Sequence, residues 1–120
     1  MDSDVLIEVL RARNAVILSR WQQLSLGDTP VMCSPVSIAE IRHGARDAEA
    51  GVISALFEAL ICVPIDAEIG TRAGNFLRRY RKSHSVELGD ALIAATAVAH
   101  GLALWTQNRK HYPMKEIAFY

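Results

Sequence analysis

The sequence predicts an α/β fold, a short parallel sheet flanked by helices. Three short apolar runs, residues 31–33, 61–65 and 102–105, alternate with longer stretches of helical period. Strands separated by helices form βαβ units, and such units build parallel sheets. At 120 residues the chain has the size of one domain, residues 1–120. With 51% hydrophobic and 22% charged residues, it can bury a core and is not a disordered polymer.

Each element has a local reason. Val5, Leu6, Val9 and Leu10 form a helical stripe. Residues 14–26 continue helically through Ile17, Trp21 and Leu24, until Gly27-Asp28-Thr29-Pro30 stops them. Val31-Met32-Cys33 reads as a short buried strand. Pro35 opens the next helix, where its missing N–H costs nothing, and that helix runs to about Gly44-Ala45. A further helix spans residues 48–60, and 61–65 form the second strand. Asp66 is a candidate cap for a long helix through Arg81, followed by a polar loop at Ser83-His84-Ser85. An alanine-rich helix at 88–100 ends at Gly101. Residues 102–105 read as a strand buried on both faces, 106–113 as loop, and 117–120 as an edge strand.

Several function classes are excluded or disfavoured. Thirteen Lys and Arg balance thirteen Asp and Glu, so the chain does not coat nucleic acid by bulk charge. Cys33 and Cys62 lie inside apolar runs without zinc-ligand spacing and read as buried free thiols. No apolar run approaches the roughly 18 residues of a membrane span. Asp2, Asp4 and Glu8 stand where a secretory signal carries cations. These features point to a cytoplasmic protein with no membrane partner.

The chemistry is expected at the carboxyl ends of the strands, where open parallel sheets bind ligands. Asp2 precedes the first helix, Glu40 follows the first apolar run, and Asp90 opens the alanine-rich helix. Thr106 and Asn108 follow the third run. An acid in the first turn of a helix suits the helix dipole, which explains Asp90 and Asp2 singly, and Glu40 alone reads equally as a solvent-facing residue of an amphipathic helix. Together they suggest a carboxylate cluster whose repulsion a divalent cation relieves. Hard oxygen ligands favour Mg²⁺ or Mn²⁺, which binds phosphate oxygens and activates water.

Four segments, in order and spanning nearly the whole chain, carry a family resemblance. Asp2-Ser-Asp-Val-Leu-Ile7 resembles the opening segment of the PIN-domain family, in particular its VapC-type toxins. Ser37-Ile-Ala-Glu40-Ile-Arg-His-Gly44 is similar to the segment with the second acid, and Gly89-Asp90-Ala-Leu-Ile-Ala-Ala-Thr-Ala97 to the segment with the third. Leu104-Trp-Thr106-Gln-Asn108-Arg-Lys-His111-Tyr112 resembles the closing segment.

The resemblance implies a three-layer sandwich and a Mg²⁺- or Mn²⁺-dependent endoribonuclease, the toxin of a toxin–antitoxin pair. Asp2, Glu40 and Asp90 would hold the metal. Thr106 and Asn108 would support the site, with Ser3 in a similar role. It also implies an RNA substrate, a homodimer and a cognate VapB-like antitoxin. Two departures stand out. His111 occupies a place where the family carries a fourth Asp, and only Met1 precedes Asp2, as if the first strand were cut away. These keep a second reading open, a catalytically weak binding or regulatory module. A PIN nuclease acting on DNA or in RNA processing is a third.

Arg78-Arg79-Tyr80-Arg81-Lys82 is the one dense basic run, with Arg72 in the same predicted helix. It reads either as a solvated helix end or as a rim for phosphate or an acidic antitoxin tail. Trp21, Phe57 and Phe76 lie on apolar stripes and belong to the core, and nothing resembles a base-stacking platform.

Overall fold

A computed structural model describes residues 1–120. The chain forms two compact units, Met1–Val63 and Pro64–Tyr120.

In the first unit, α1 (Ser3–Arg11) starts where the Asp2 carboxylate accepts from the Ser3 N–H at 2.7 Å. Its stripe turns Val5 and Leu6 fully inward. Ala12 ends the helix in the left-handed region at φ 52, its N–H bonded to the Glu8 carbonyl at 2.9 Å. That conformation costs a non-glycine residue about 1–2 kcal/mol. Asn14 then caps α2 (Ala15–Leu26), its Oδ1 accepting from the Val16 and Ile17 N–H groups at 3.1 Å.

The sheet is parallel, as expected, and short. β1 (Met32–Cys33) pairs with β2 (Ile61–Cys62) in the register Met32↔Ile61 and Cys33↔Cys62. The Ile61 N–H donates to the Val31 carbonyl and the Val63 N–H to the Cys33 carbonyl, both at 2.9 Å. The second strand does not reach residue 65, because Pro64 has no N–H for the ladder. Ile61 and Cys62 are exposed, so β2 is an edge, and the expectation of a buried Cys62 is overturned. On the other edge, the Met1 amine donates to the Met32 carbonyl at 3.0 Å, and burial lowers its pKa.

Ser34 caps α3 (Pro35–Gly44), and Pro35 takes the first turn. The helix expected at 48–60 is shorter. Residues Asp47–Glu49 form a tight 3₁₀ turn, held where the Glu49 carboxylate accepts from the Arg46 N–H at 3.0 Å, and α4 covers Ala50–Glu58. Leu6, Cys33, Ile41, Ile53, Leu56 and Leu60 form the core, with Trp21 and Phe57 packed at its margin. Each large aliphatic there stabilises the fold by about 1.5–3 kcal/mol.

In the second unit, Asp66 caps α5 (Ala67–His84) through the Ile69 N–H at 3.0 Å. Ser83 and His84 are helical instead of loop. The His84 ring meets Tyr80 edge-on at 5.7 Å, one turn back, and lies 2.7 Å from the Ser83 hydroxyl. Ser85, at φ 54, ends the helix. α6 (Leu88–Ala99) is buried almost all round at Ala91 and Ile93 through Ala97, which its small side chains permit. Gly101, at φ 62, provides the left-handed turn after it.

The third strand and its edge partner shrink to one parallel bridge, Leu104↔Phe119. The Leu104 N–H donates to the Ala118 carbonyl at 2.8 Å and the Tyr120 N–H to the Leu104 carbonyl at 2.9 Å. Leu104 and Trp105 are buried, but Ala103 is exposed, so the run is not covered on both faces. Trp105 packs edge-on against Tyr120 at 5.4 Å.

Candidate functional site

Within the first unit, the opening segment and α3 converge on Glu40. Ser3 is the first residue of α1 and is buried; its Oγ donates to Glu40 Oε1 at 2.7 Å. The same hydroxyl lies 3.1 Å from the Ser37 hydroxyl, which is fully buried. A short O–H···O⁻ bond of this kind is among the stronger neutral-to-charged contacts. It fixes one carboxylate oxygen, while Glu40 as a whole remains solvent-exposed. Asp2, next to Ser3, is half-buried and caps α1. Beside Glu40 a cavity of about 130 Å³ opens, with Ile7, Leu10, Ile41 and Ile53 on its walls and Arg11 at its edge.

Ser37 was not singled out from the sequence. Its signal is the spacing to Glu40, three residues on, which places both on one helix face. Ser3, named only for a supporting role, is the hydroxyl that links α1 to this face.

Within the second unit, Asp90 sits in the first turn of α6, half-buried, and its Oδ2 accepts from the Glu87 N–H at 3.2 Å. That is the bond of a capping box, so the structural role of Asp90 is real. The Glu87 side chain is exposed. Thr106 and Asn108 come together: Thr106 Oγ1 accepts from the Asn108 N–H at 3.0 Å. Asn108 Nδ2 also lies 3.2 Å from His111 Nε2. This turn thus carries a hydroxyl, an amide and an imidazole, with no carboxylate. Arg109 stacks over the Phe119 ring, 4.8 Å from its centre.

No three His, Cys, Asp or Glu side chains are grouped as a ready-made metal site. Taken unit by unit, the donor chemistry suits a hard divalent cation, because Asp2 and Glu40 in the first and Asp90 in the second offer carboxylate oxygens only.

Comparison with known proteins shows the family. The chain is 43% identical over 118 residues to "Ribonuclease VapC10" of Mycobacterium tuberculosis, covering 97% of this chain and 86% of that protein. It is 30% identical over 115 residues to "Ribonuclease VapC19" of the same organism, covering 95% of this chain and 91% of the relative. Its fold is similar to the solved DNA-bound VapBC from Salmonella typhimurium, with a TM-score of 0.83 at 19% identity over 99% of this chain and 93% of that one. The PIN domain family model matches residues 1–119, so this chain belongs to the PIN-domain family.

Proposed function

We propose that this chain is an endoribonuclease that hydrolyses RNA phosphodiester bonds, the toxin of a VapBC-type toxin–antitoxin pair. The observation that carries the reading is the 43% identity to a ribonuclease of the same family over 97% of the chain. The four motif segments all lie inside that matched length. The reading takes residues 1–120 as one functional PIN domain that acts as a cytoplasmic homodimer. Its partners are RNA and a VapB-like antitoxin.

In this reading Asp2, Glu40 and Asp90 hold Mg²⁺ or Mn²⁺, and Thr106 and Asn108 orient the substrate side of the site. The cation supplies charge stabilisation at the phosphoryl oxygens and lowers the pKa of the attacking water. The protein's own part is positional. Ser3 holds one oxygen of Glu40 by its 2.7 Å bond, which leaves the other oxygen for the cation. Thr106 organises the turn that presents the Asn108 amide, a neutral donor suited to a phosphate oxygen.

The test is cleavage of a structured RNA with Mg²⁺ or Mn²⁺, with EDTA as control and a DNA duplex digested in parallel. RNA cleavage that EDTA abolishes is the expected outcome. Cutting of DNA alone would remove the toxin reading. A second reading, a PIN module that binds RNA without cutting it, is favoured by one observation. His111 stands near Asn108 where the family segment carries an acid, which leaves that turn without a carboxylate. RNA binding without cleavage at millimolar Mg²⁺ and Mn²⁺ would establish it.

A further inference from the structure

The acids and the serines leave one feature of the molecule unused, the outer face of α5. Residues 72–82 contain Arg72, Arg78, Arg79, Arg81 and Lys82 and no acid, which leaves eight basic residues against 13 acids elsewhere. Two of the five are already engaged. Arg72 pairs with Glu68 at 3.2 Å and Arg79 reaches Glu116 at 3.9 Å. Arg78, Arg81 and Lys82 are exposed, and none takes part in an ion pair. Their spacing of three and four residues puts them on one stripe, turned away from the buried line of Ile69, Ala73 and Phe76.

The stripe continues along the helix through Asn75, Gly74 and Thr71, all small or polar. It offers no aromatic or aliphatic anchor, which peptide interfaces require at their centre. A cationic strip without an apolar centre suits a phosphate backbone, where binding is electrostatic and independent of sequence. Position points the same way. α5 ends at His84 and α6 begins at Leu88, and these packed helices are joined by three residues. Because the two helices pack along each other across so short a connection, the cationic end of α5 and the first turn of α6, with Asp90, lie at the same end of the pair.

We propose that Arg78, Arg81 and Lys82 form a phosphate-binding track that lays the RNA backbone along α5 toward Asp90. The proposal rests on the ribonuclease reading for its substrate. The track binds the backbone and not the bases, and it contributes affinity without taking part in bond cleavage.

The experiment compares the parent with a triple variant, Arg78→Gln, Arg81→Gln and Lys82→Gln, all exposed and all good helix formers. A fluorescently labelled stem-loop RNA is titrated in EDTA, read by anisotropy across a range of salt. The same RNA is then cleaved with Mg²⁺ or Mn²⁺. The triple variant is expected to bind RNA about tenfold or more weakly at moderate salt. The slope of log affinity against log salt should fall by about 2–3, as for loss of three phosphate contacts to a loop or a stem. KM should rise by the same factor with kcat unchanged.

Unchanged affinity and salt slope would overturn the proposal even if both proteins cleave RNA. A parent that binds RNA while the variant does not, neither of them cleaving, would uphold the track and remove the ribonuclease reading. An oligoglutamate peptide is titrated as well. Loss of peptide binding with RNA binding intact would reassign the stripe to an acidic protein partner and overturn the track.

Discussion

Glu40 and Asp90 are carboxylates on helices, held by opposite means. Glu40 lies midway along α3 and is tied to a different helix, through the Ser3 hydroxyl of α1. Asp90 accepts from the Glu87 N–H at the start of its own helix. The first restraint exists only while the core between α1 and α3 is packed; the second forms wherever α6 forms. The first bond therefore reports tertiary order and the second local order.

Four perturbations sharpen or break that contrast, from largest to smallest. Leu6 is fully buried in the first unit's core, so Leu6→Ala should lower stability by about 3–5 kcal/mol, read by chemical denaturation. It should also lower RNA cleavage well below the folding midpoint, because α1 carries Ser3. Cleavage that tracks only the folded fraction would break the link between core and Glu40.

Next come the carboxylates themselves. Asp90→Asn and Glu40→Gln should each slow RNA cleavage by about a hundredfold or more, the usual scale for losing a preorganised charge. Asp90→Asn should leave the thermal midpoint nearly unchanged, since the asparagine amide oxygen can still accept from the Glu87 N–H. A large fall in Tm with normal cleavage would assign Asp90 a purely structural role.

Ser3→Ala is a smaller change. Losing a hydrogen bond to a charged group typically costs about 1.5–3 kcal/mol, and here most of it should fall on kcat for cleavage. Thr106→Ala, which removes a bond from an amide N–H, should cost about 1 kcal/mol or less of the same barrier. Equal effects from the two would erase the distinction drawn between a cross-helix support and a local one.

The last effect, a pH dependence, is absent at neutral pH and grows only in alkali. Burial beside Cys62 pushes the Cys33 thiol from its ordinary 9.0 up to about 11. The folded state therefore favours the neutral thiol, so stability is fully present below pH 9 and declines as pH rises toward about 11. The Cys33→Ala variant, less stable overall, should lack this particular alkaline decline when denaturation midpoints are compared across the range.

The helices were legible in the sequence because their ends carry local chemistry. Asp66 and Gly101 each act at the boundary that their residue type predicts, whereas Asn14 caps a new helix where a continuation of the first was expected. The parallel sheet was legible from the alternation of apolar runs with helices. What the alternation could not reveal was extent. A run of five apolar residues makes only two ladder positions when Pro64 interrupts it, and residues 102–105 make a single bridge at Leu104. Both depend on which neighbouring backbone is in reach, which periodicity does not encode. The candidate site divides in the same way. Glu40 and Asp90 could be named from their motif contexts, but the Ser3–Ser37–Glu40 contacts required α1 to be laid beside α3. Ser37 carries no charge and no motif signal beyond its spacing, and so it emerged only from the packing.

The paired strands hold a consequence for the bench. Cys33 and Cys62 are register partners, yet one is buried and the other exposed, and both are free thiols. A thiol reagent should modify Cys62 at once and Cys33 only when the sheet opens. With Cys62 replaced by Ala, the labelling rate of Cys33 becomes a stopwatch for local opening of β1 against β2. The antitoxin, RNA and divalent ions can each be scored by how far they slow it. The two sulfurs turn a strand pair of four residues into a gauge of how tightly this unit is held closed.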